Sequence, residues 1–102
     1  MSDTQTYTVV VTTTFNQGWK DSPELQQYSE KVNELIWLHK GSVVSKKIIE
    51  KNLGNWTTPD MMVMIEFPSK DDAIQTFSSS QYEAIIPLRD VAFKKVNIFI
   101  VE

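Results

Sequence analysis

Cysteine is absent from this chain. Disulfides, thiolate nucleophiles and zinc–thiolate sites are therefore all excluded, and a reducing compartment suits such a composition. Histidine is nearly as scarce. His39 stands alone, so a metal site built from several imidazoles cannot form, and no metal is expected. The three glycines fall in no phosphate-cradling loop, and there is no nucleophile elbow. No cofactor is expected. No apolar run approaches the roughly 20 residues that a membrane span requires. The segment Met1 to Thr6 has neither the basic nor the apolar region of a secretory leader. A cytoplasmic location without membrane contact is the expectation. Basic charge is also short: ten lysines and arginines stand against thirteen acids, for a net charge of −3. An electrostatic grip on nucleic acid needs a basic face, so nucleic acid is not an expected partner.

What is present reads as one domain spanning residues 1–102. A chain of this size buries about two-thirds of its unfolded surface, enough for a modest core. Residues 5 to 15 alternate, with Tyr7, Val9, Val11, Thr13 and Phe15 on one face and threonines and Val10 on the other. Such β-branched alternation predicts a strand. Ser22-Pro23-Glu24 combines a capping hydroxyl, a first-turn proline and an acid, and predicts a helix start. Leu25, Tyr28, Val32, Leu35, Ile36 and His39 then share one stripe at helical spacing. Gly41 is placed to end that helix in the left-handed conformation. Trp37 points off the stripe, toward a loop or a second subunit.

Residues 42 to 51 and 60 to 67 read as two further strands, joined by the turn-rich Asn52 to Pro59, and residues 94 to 101 as a last strand. Between the last two, Ser69 to Asp72 fits a loose capping box and Ser80 to Glu83 the standard one. Ala73, Ile74 and Phe77 form a short apolar face. Pro87 lacks an amide donor and is expected to break the helix.

The predicted order is βαββαβ. Helical crossovers place strands one and three in the centre of an antiparallel sheet, with strands two and four at its edges. Lys46, Lys47 and Lys51, and Lys94 and Lys95, then sit on or beside edge strands, where lysine discourages sheet-to-sheet aggregation. Both helical segments cover one face. The other is not cleanly polar, because Met61 to Ile65 is apolar throughout and Phe99 and Val101 alternate with Ile98 and Ile100. Apolarity on both faces of a central strand predicts burial on both sides. Met62, Met64, Phe99 and Val101 would be a liability if left exposed, and a two-fold homodimer packed sheet on sheet covers them.

Several segments of the C-terminal half carry a family likeness. Ile65-Glu66-Phe67-Pro68-Ser69, the pair Ser79 and Tyr82, and Pro87-Leu88-Arg89 resemble a small bacterial family catalogued as domain of unknown function 1330. Gly54-Asn55-Trp56 is similar to that family's glycine-x-tryptophan before strand three. The chain departs from the pattern at Thr76-Phe77, where the family often has tryptophan-tyrosine, and at Ser80, where proline is common. The resemblance implies an α+β fold of the ferredoxin-like type, in the dimeric α+β barrel superfamily, and brings no particular reaction.

Four residues are candidates for a site. Arg89 has the planar fork that suits a ligand carboxylate or phosphate, though an ion pair with Glu66 or Asp90 would occupy it equally well. Tyr82, on the same helix, could offer its hydroxyl to a ligand or simply pack. Trp56 would lie nearby. His39 is a potential acid–base group or a helix-capping imidazole. The expected function is a homodimer that binds a small anionic organic molecule between helices and sheet. The alternatives are a non-catalytic dimerisation or partner-binding module, or a cofactor-free monooxygenase-like enzyme by fold analogy alone.

Overall fold

The computed structural model describes residues 6–101. Strand β1 (Tyr7–Phe15) is followed by a short 3-10 turn (Trp19–Asp21) and helix α1 (Pro23–Leu38). Strands β2 (Ser42–Ile48) and β3 (Met61–Phe67) come next, then helices α2 (Lys70–Ser78) and α3 (Ser80–Ala92), and strand β4 (Phe93–Val101). The sheet is antiparallel in the order β2-β3-β1-β4. The expected central pair and both expected edges are in place. No helix among the described residues is long and apolar enough to cross a membrane.

Strand register sorts the side chains into two faces. Val9, Val11 and Thr13 of β1 stand opposite Ile65, Val63 and Met61 of β3, and opposite Ile100, Ile98 and Val96 of β4. This is the face the helices cover, and Val9, Thr13, Met61 and Ile65 are buried on it. One residue along, Thr8, Val10 and Thr12 stand opposite Glu66, Met64 and Met62, and opposite Val101, Phe99 and Asn97. No element among the described residues covers that second face, and Phe99 is 52% exposed. The strand period of two makes the division unavoidable once one face has chosen the helices.

The core lies between the covered face and the helices. α1 contributes Tyr28, Leu35 and Ile36, and α3 contributes Tyr82, Ile85 and Ala92. Phe67 and Phe93 are fully or nearly fully buried at opposite ends of the sheet. Burying one such aromatic side chain stabilises the fold by about 1.5–3 kcal/mol. Asp60 fixes the start of β3. Its amide donates to the Thr13 carbonyl at 2.8 Å, its carbonyl accepts from the Ile49 amide at 2.9 Å, and its carboxylate accepts from the Phe15 amide at 2.9 Å.

Four local expectations are corrected. The left-handed residue at the end of α1 is Lys40, at φ 67°, and not Gly41. The Gly41 amide donates to the Ile36 carbonyl at 2.7 Å and the Lys40 amide to the Trp37 carbonyl at 3.0 Å, which is a Schellman closure one residue earlier than expected. Gly41 is needed for space: an added Cβ would lie 2.5 Å from the Phe67 ring and 2.8 Å from Ile36. The cap of α3 is Ser79 rather than Ser80. The Ser79 hydroxyl accepts from the Tyr82 amide at 3.1 Å and donates to the Thr76 carbonyl at 3.1 Å, so it starts α3 and closes α2 together. Pro87 does not break α3, which runs on to Ala92. Pro87 and Glu83 both lie on the exposed side, where water can reach the carbonyl that loses its partner. In α2 the buried residues are Ala73 and Thr76, and Ile74 is exposed. The Thr76 hydroxyl donates to the Asp72 carbonyl at 2.7 Å, which removes the cost of burying it.

Candidate functional site

Two of the four candidate residues, Tyr82 and Arg89, meet directly, and Tyr28, which the sequence marked only as core, joins them through Tyr82. Tyr28 enters the core one turn into α1, and Tyr82 enters it from the first turn of α3. Their hydroxyls lie 2.9 Å apart, and the rings meet edge to face at 6.3 Å. Arg89, two turns along α3 from Tyr82, donates from one terminal nitrogen to the Tyr82 hydroxyl at 3.4 Å. Its Nε donates to the Asp90 carboxylate at 3.1 Å, forming an ion pair. The guanidinium also sits over the Tyr82 ring, 5.9 Å from its centre.

Guanidinium can only donate, so the Tyr82 oxygen is the acceptor toward Arg89. That contact polarises Tyr82 as a donor toward Tyr28. Burial, and then the adjacent Tyr82 hydroxyl, push the Tyr28 phenol far above its ordinary pKa. Tyr28 is therefore neutral throughout the physiological range and serves as a fixed dipole, not as a base. Burial works against the charge on Arg89, but the bonds to Tyr82 and Asp90 outweigh it, and its pKa is raised.

The other two candidates lie elsewhere. Trp56 is 84% exposed in the β2–β3 connection. Its carbonyl accepts from the Asn52 side chain at 2.7 Å, and the other side of the Asn52 amide accepts from the Gly54 amide at 2.7 Å. The glycine-x-tryptophan segment is thus held as a side-chain-stapled turn. His39 caps α1 at the opposite end of the sheet from the α3–β4 junction. Its amide donates to the Leu35 carbonyl at 3.1 Å, and its Nε2 is buried without a hydrogen-bond partner. Trp37 is 81% exposed. Trp19 stacks on Phe15 at 4.2 Å, so the three tryptophans do not share a pocket. No group of three or more acidic or imidazole side chains among the described residues is placed to hold a metal ion.

A cavity of about 190 Å³ lies between α1 and the sheet. Val11, Thr13, Val63 and Ile65 form its floor, and Tyr28, Val32 and Ile36 its roof. Phe77 and Phe93 also line it. Its exposed lining residues, Asn33, Val43 and Lys46, fall between α1 and the edge strand β2, where it opens. No carboxylate lines it, and Lys46 is its one charged side chain. Arg89 does not reach it. Tyr28 does, so the Arg89–Tyr82–Tyr28 chain ends on the cavity wall.

Thr13 is the unusual part of the floor. The residue is 4% exposed, and its hydroxyl is buried with no hydrogen-bond partner. A buried hydroxyl left unpaired costs about 1–3 kcal/mol. Sequence reasoning assigned Thr13 to a strand face and Lys46 to an edge, and neither to a site. The available signals were a polar residue among apolar ones on the inward face of β1, and a lysine at an inward position of β2. The second becomes visible only with the register, which sets Lys46 opposite Val63 after an irregularity between Val43 and Ser45.

Comparison with solved structures returns the same architecture. A protein of unknown function from Rhodopseudomonas palustris superposes with a TM-score of 0.77 at 12% identity, covering 96% of this chain and 82% of that one. A dimeric protein of unknown function with a ferredoxin-like fold, from Bacteroides fragilis, gives 0.62 at 12% identity, covering 95% of each chain. A dimeric ferredoxin-like protein of unknown function from Thermobifida fusca gives 0.59 at 8% identity, covering 99% and 93%. At such identities the likeness shows the fold alone, and that fold is ferredoxin-like. No curated protein matches the sequence. The family model described as domain of unknown function (DUF1330) matches residues 6–102, so the likeness read from the C-terminal half extends over almost the whole chain, which belongs to that family.

Proposed function

We propose that this protein is a homodimer that binds a small organic anion in the cavity between α1 and the sheet. The observation that carries the reading is the cavity itself. It is lined mainly by apolar and aromatic side chains, with a few polar groups, which is the usual make-up of a small-molecule site. Its one charged lining residue is Lys46, and no acid opposes it. In this reading Arg89 and Tyr82 act on the ligand indirectly, by holding Tyr28 in the cavity roof. Trp56 and His39 have no contact with the cavity and no assigned part in binding.

The homodimer rests on a separate observation. Val10, Met62, Met64, Phe99 and Val101 share the uncovered sheet face with Thr8, Thr12, Glu66 and Asn97. A two-fold contact uses the same patch on both copies, and an apolar centre with a polar surround is the composition of such an interface. Two solved structures of the same fold are described as dimeric, which supports a homodimer without specifying its interface.

Thermal-shift measurement against a panel of small organic acids tests the binding function. A ligand that binds the folded state alone raises the Tm in a concentration-dependent way. Lys46→Gln should reduce the shift. A panel in which no acid moves the Tm at any concentration would remove the reading.

A further inference from the structure

We infer that the cavity recognises a single-ring carboxylic acid carrying a hydroxyl or carbonyl group at the end of the ring opposite the carboxylate. This rests on the reading of the cavity as a ligand site and specifies what that site selects.

Size sets the first limit. An apolar protein cavity of roughly 150 Å³ takes up benzene. A cavity of about 190 Å³ therefore has room for one ring with small substituents. The lining sets the second. Tyr28, Phe77 and Phe93 present rings, while Val11, Val32, Val63 and Ile65 present methyl groups, so the body of the ligand is apolar.

Polar groups set the third, and they stand at opposite ends. Thr13 is opposite Met61 on β3, and Lys46 is opposite Val63, two residues further along. β1 and β2 flank β3 on either side. Two strand spacings across and two residues along place the Cα atoms of Thr13 and Lys46 about 12 Å apart. Both side chains project from the same, helix-covered face. Between a threonine hydroxyl at one end and the tip of a lysine at the other, the remaining gap suits one six-membered ring with polar groups at both ends.

Thr13 needs a partner, and solvent is a poor one. An ordered buried water requires two to four polar contacts. On the sheet Thr13 is flanked by Met61 and Val96, and the Tyr28 hydroxyl is already engaged with Tyr82. A hydroxyl or carbonyl held on an apolar ring satisfies Thr13 without needing further partners of its own. Lys46 stands in solvent at the mouth, so a carboxylate there keeps part of its hydration while pairing with the ammonium. The cost of burying a charge is avoided.

The test uses methyl-resolved NMR titration of the full-length protein with four probes: 4-hydroxybenzoate, benzoate, p-cresol and toluene. The methyl groups of Val11, Val63 and Ile65 report occupancy of the cavity. We expect 4-hydroxybenzoate to bind about three- to tenfold more tightly than benzoate, the effect of one hydrogen bond. It should exceed p-cresol by roughly threefold at low salt, the effect of one exposed ion pair. Thr13→Val should abolish the first preference and Lys46→Gln the second. Each variant should keep the preference that the other loses. If benzoate and 4-hydroxybenzoate bind equally to the native protein, the role of Thr13 is overturned while the anion-binding cavity stands. If p-cresol equals 4-hydroxybenzoate, the carboxylate assignment is overturned. If only toluene and p-cresol move the cavity methyls, the cavity is a ligand site of different selectivity, and the assigned class is wrong. If no probe moves them, both the class and the cavity reading fall.

Discussion

The hydroxyls of Tyr28 and Tyr82 meet 2.9 Å apart inside the core, joining helices whose contributing residues are 54 positions apart in the chain. The pair is anchored on the outside by Arg89, which donates to Tyr82 and is paired in turn with Asp90. This chain of contacts ties α1 to α3 where the cavity begins. Tyr82→Phe removes the Tyr28 partner and leaves a buried hydroxyl unpaired, with an expected loss of about 1–3 kcal/mol. Tyr28→Phe should cost less, because Tyr82 keeps Arg89. Denaturant unfolding of both single variants and the double variant measures the coupling. A coupling indistinguishable from zero would mean that the two hydroxyls contribute independently.

Alkaline pH should act on Tyr28. Its folded-state pKa is raised by burial and by Tyr82, whereas an unfolded tyrosine titrates near 10. Below about pH 10 both states are protonated and the contribution is fully present. Above it the unfolded chain loses the proton and the folded one keeps it, so stability falls by about 1.4 kcal/mol per pH unit. Tyr28→Phe should lower that slope by this amount. Parallel slopes for variant and native protein between pH 10 and pH 11 would contradict it.

The end of α1 predicts two substitutions of opposite sign at adjacent positions. Lys40 holds a left-handed conformation that glycine adopts more easily, so Lys40→Gly should stabilise by up to about 1 kcal/mol. Gly41→Ala places a methyl group against the Phe67 ring and Ile36 and should destabilise by about 1–3 kcal/mol through overpacking. Thermal unfolding of the two variants separates these effects. If Lys40→Gly were the destabilising one, the closure would be that expected from sequence, with Gly41 as the left-handed residue.

The uncovered sheet face predicts a change of mass. Sedimentation of the native protein at micromolar concentration should give twice the 11.7 kDa of the chain. Phe99→Glu sets a charge on the centre of the face, opposite Val10. It should shift the equilibrium to monomer, since an unpaired buried charge at an interface costs several kcal/mol. The fold itself should survive, because Phe99 makes no part of the helix-covered core. A native protein sedimenting as a clean monomer would overturn the dimer.

The element order, the central and edge strands and the two-sided apolarity of β3 were legible from residue pattern, because they depend on periodicity and on connection length. The departures are local. Ser79 and Ser80 both carry a capping hydroxyl, and the chain fixes which one caps only when the Thr76 carbonyl comes within reach of Ser79. Thr76 was missed as a core residue because its polarity is cancelled by a bond to its own helix. Asp60 was missed because all of its partners lie on other elements.

The candidate site was half legible. Tyr82 and Arg89 could be paired in advance, since they lie two turns apart on one helix. Tyr28 could not be joined to them, because that contact exists only after α1 and α3 pack on the same face.

Sequence pattern alone determined the βαββαβ layout of this protein, since strand alternation, helical stripes and turn residues act over short stretches of chain. Tertiary structure decided where a ligand could go. Thr13 and Lys46 lie on strands that never touch, separated by β3, and only the register of both against Val63 and Met61 turns them toward the same space. A cavity is what packing leaves unfilled, and no local pattern in a chain encodes the volume that distant side chains fail to occupy.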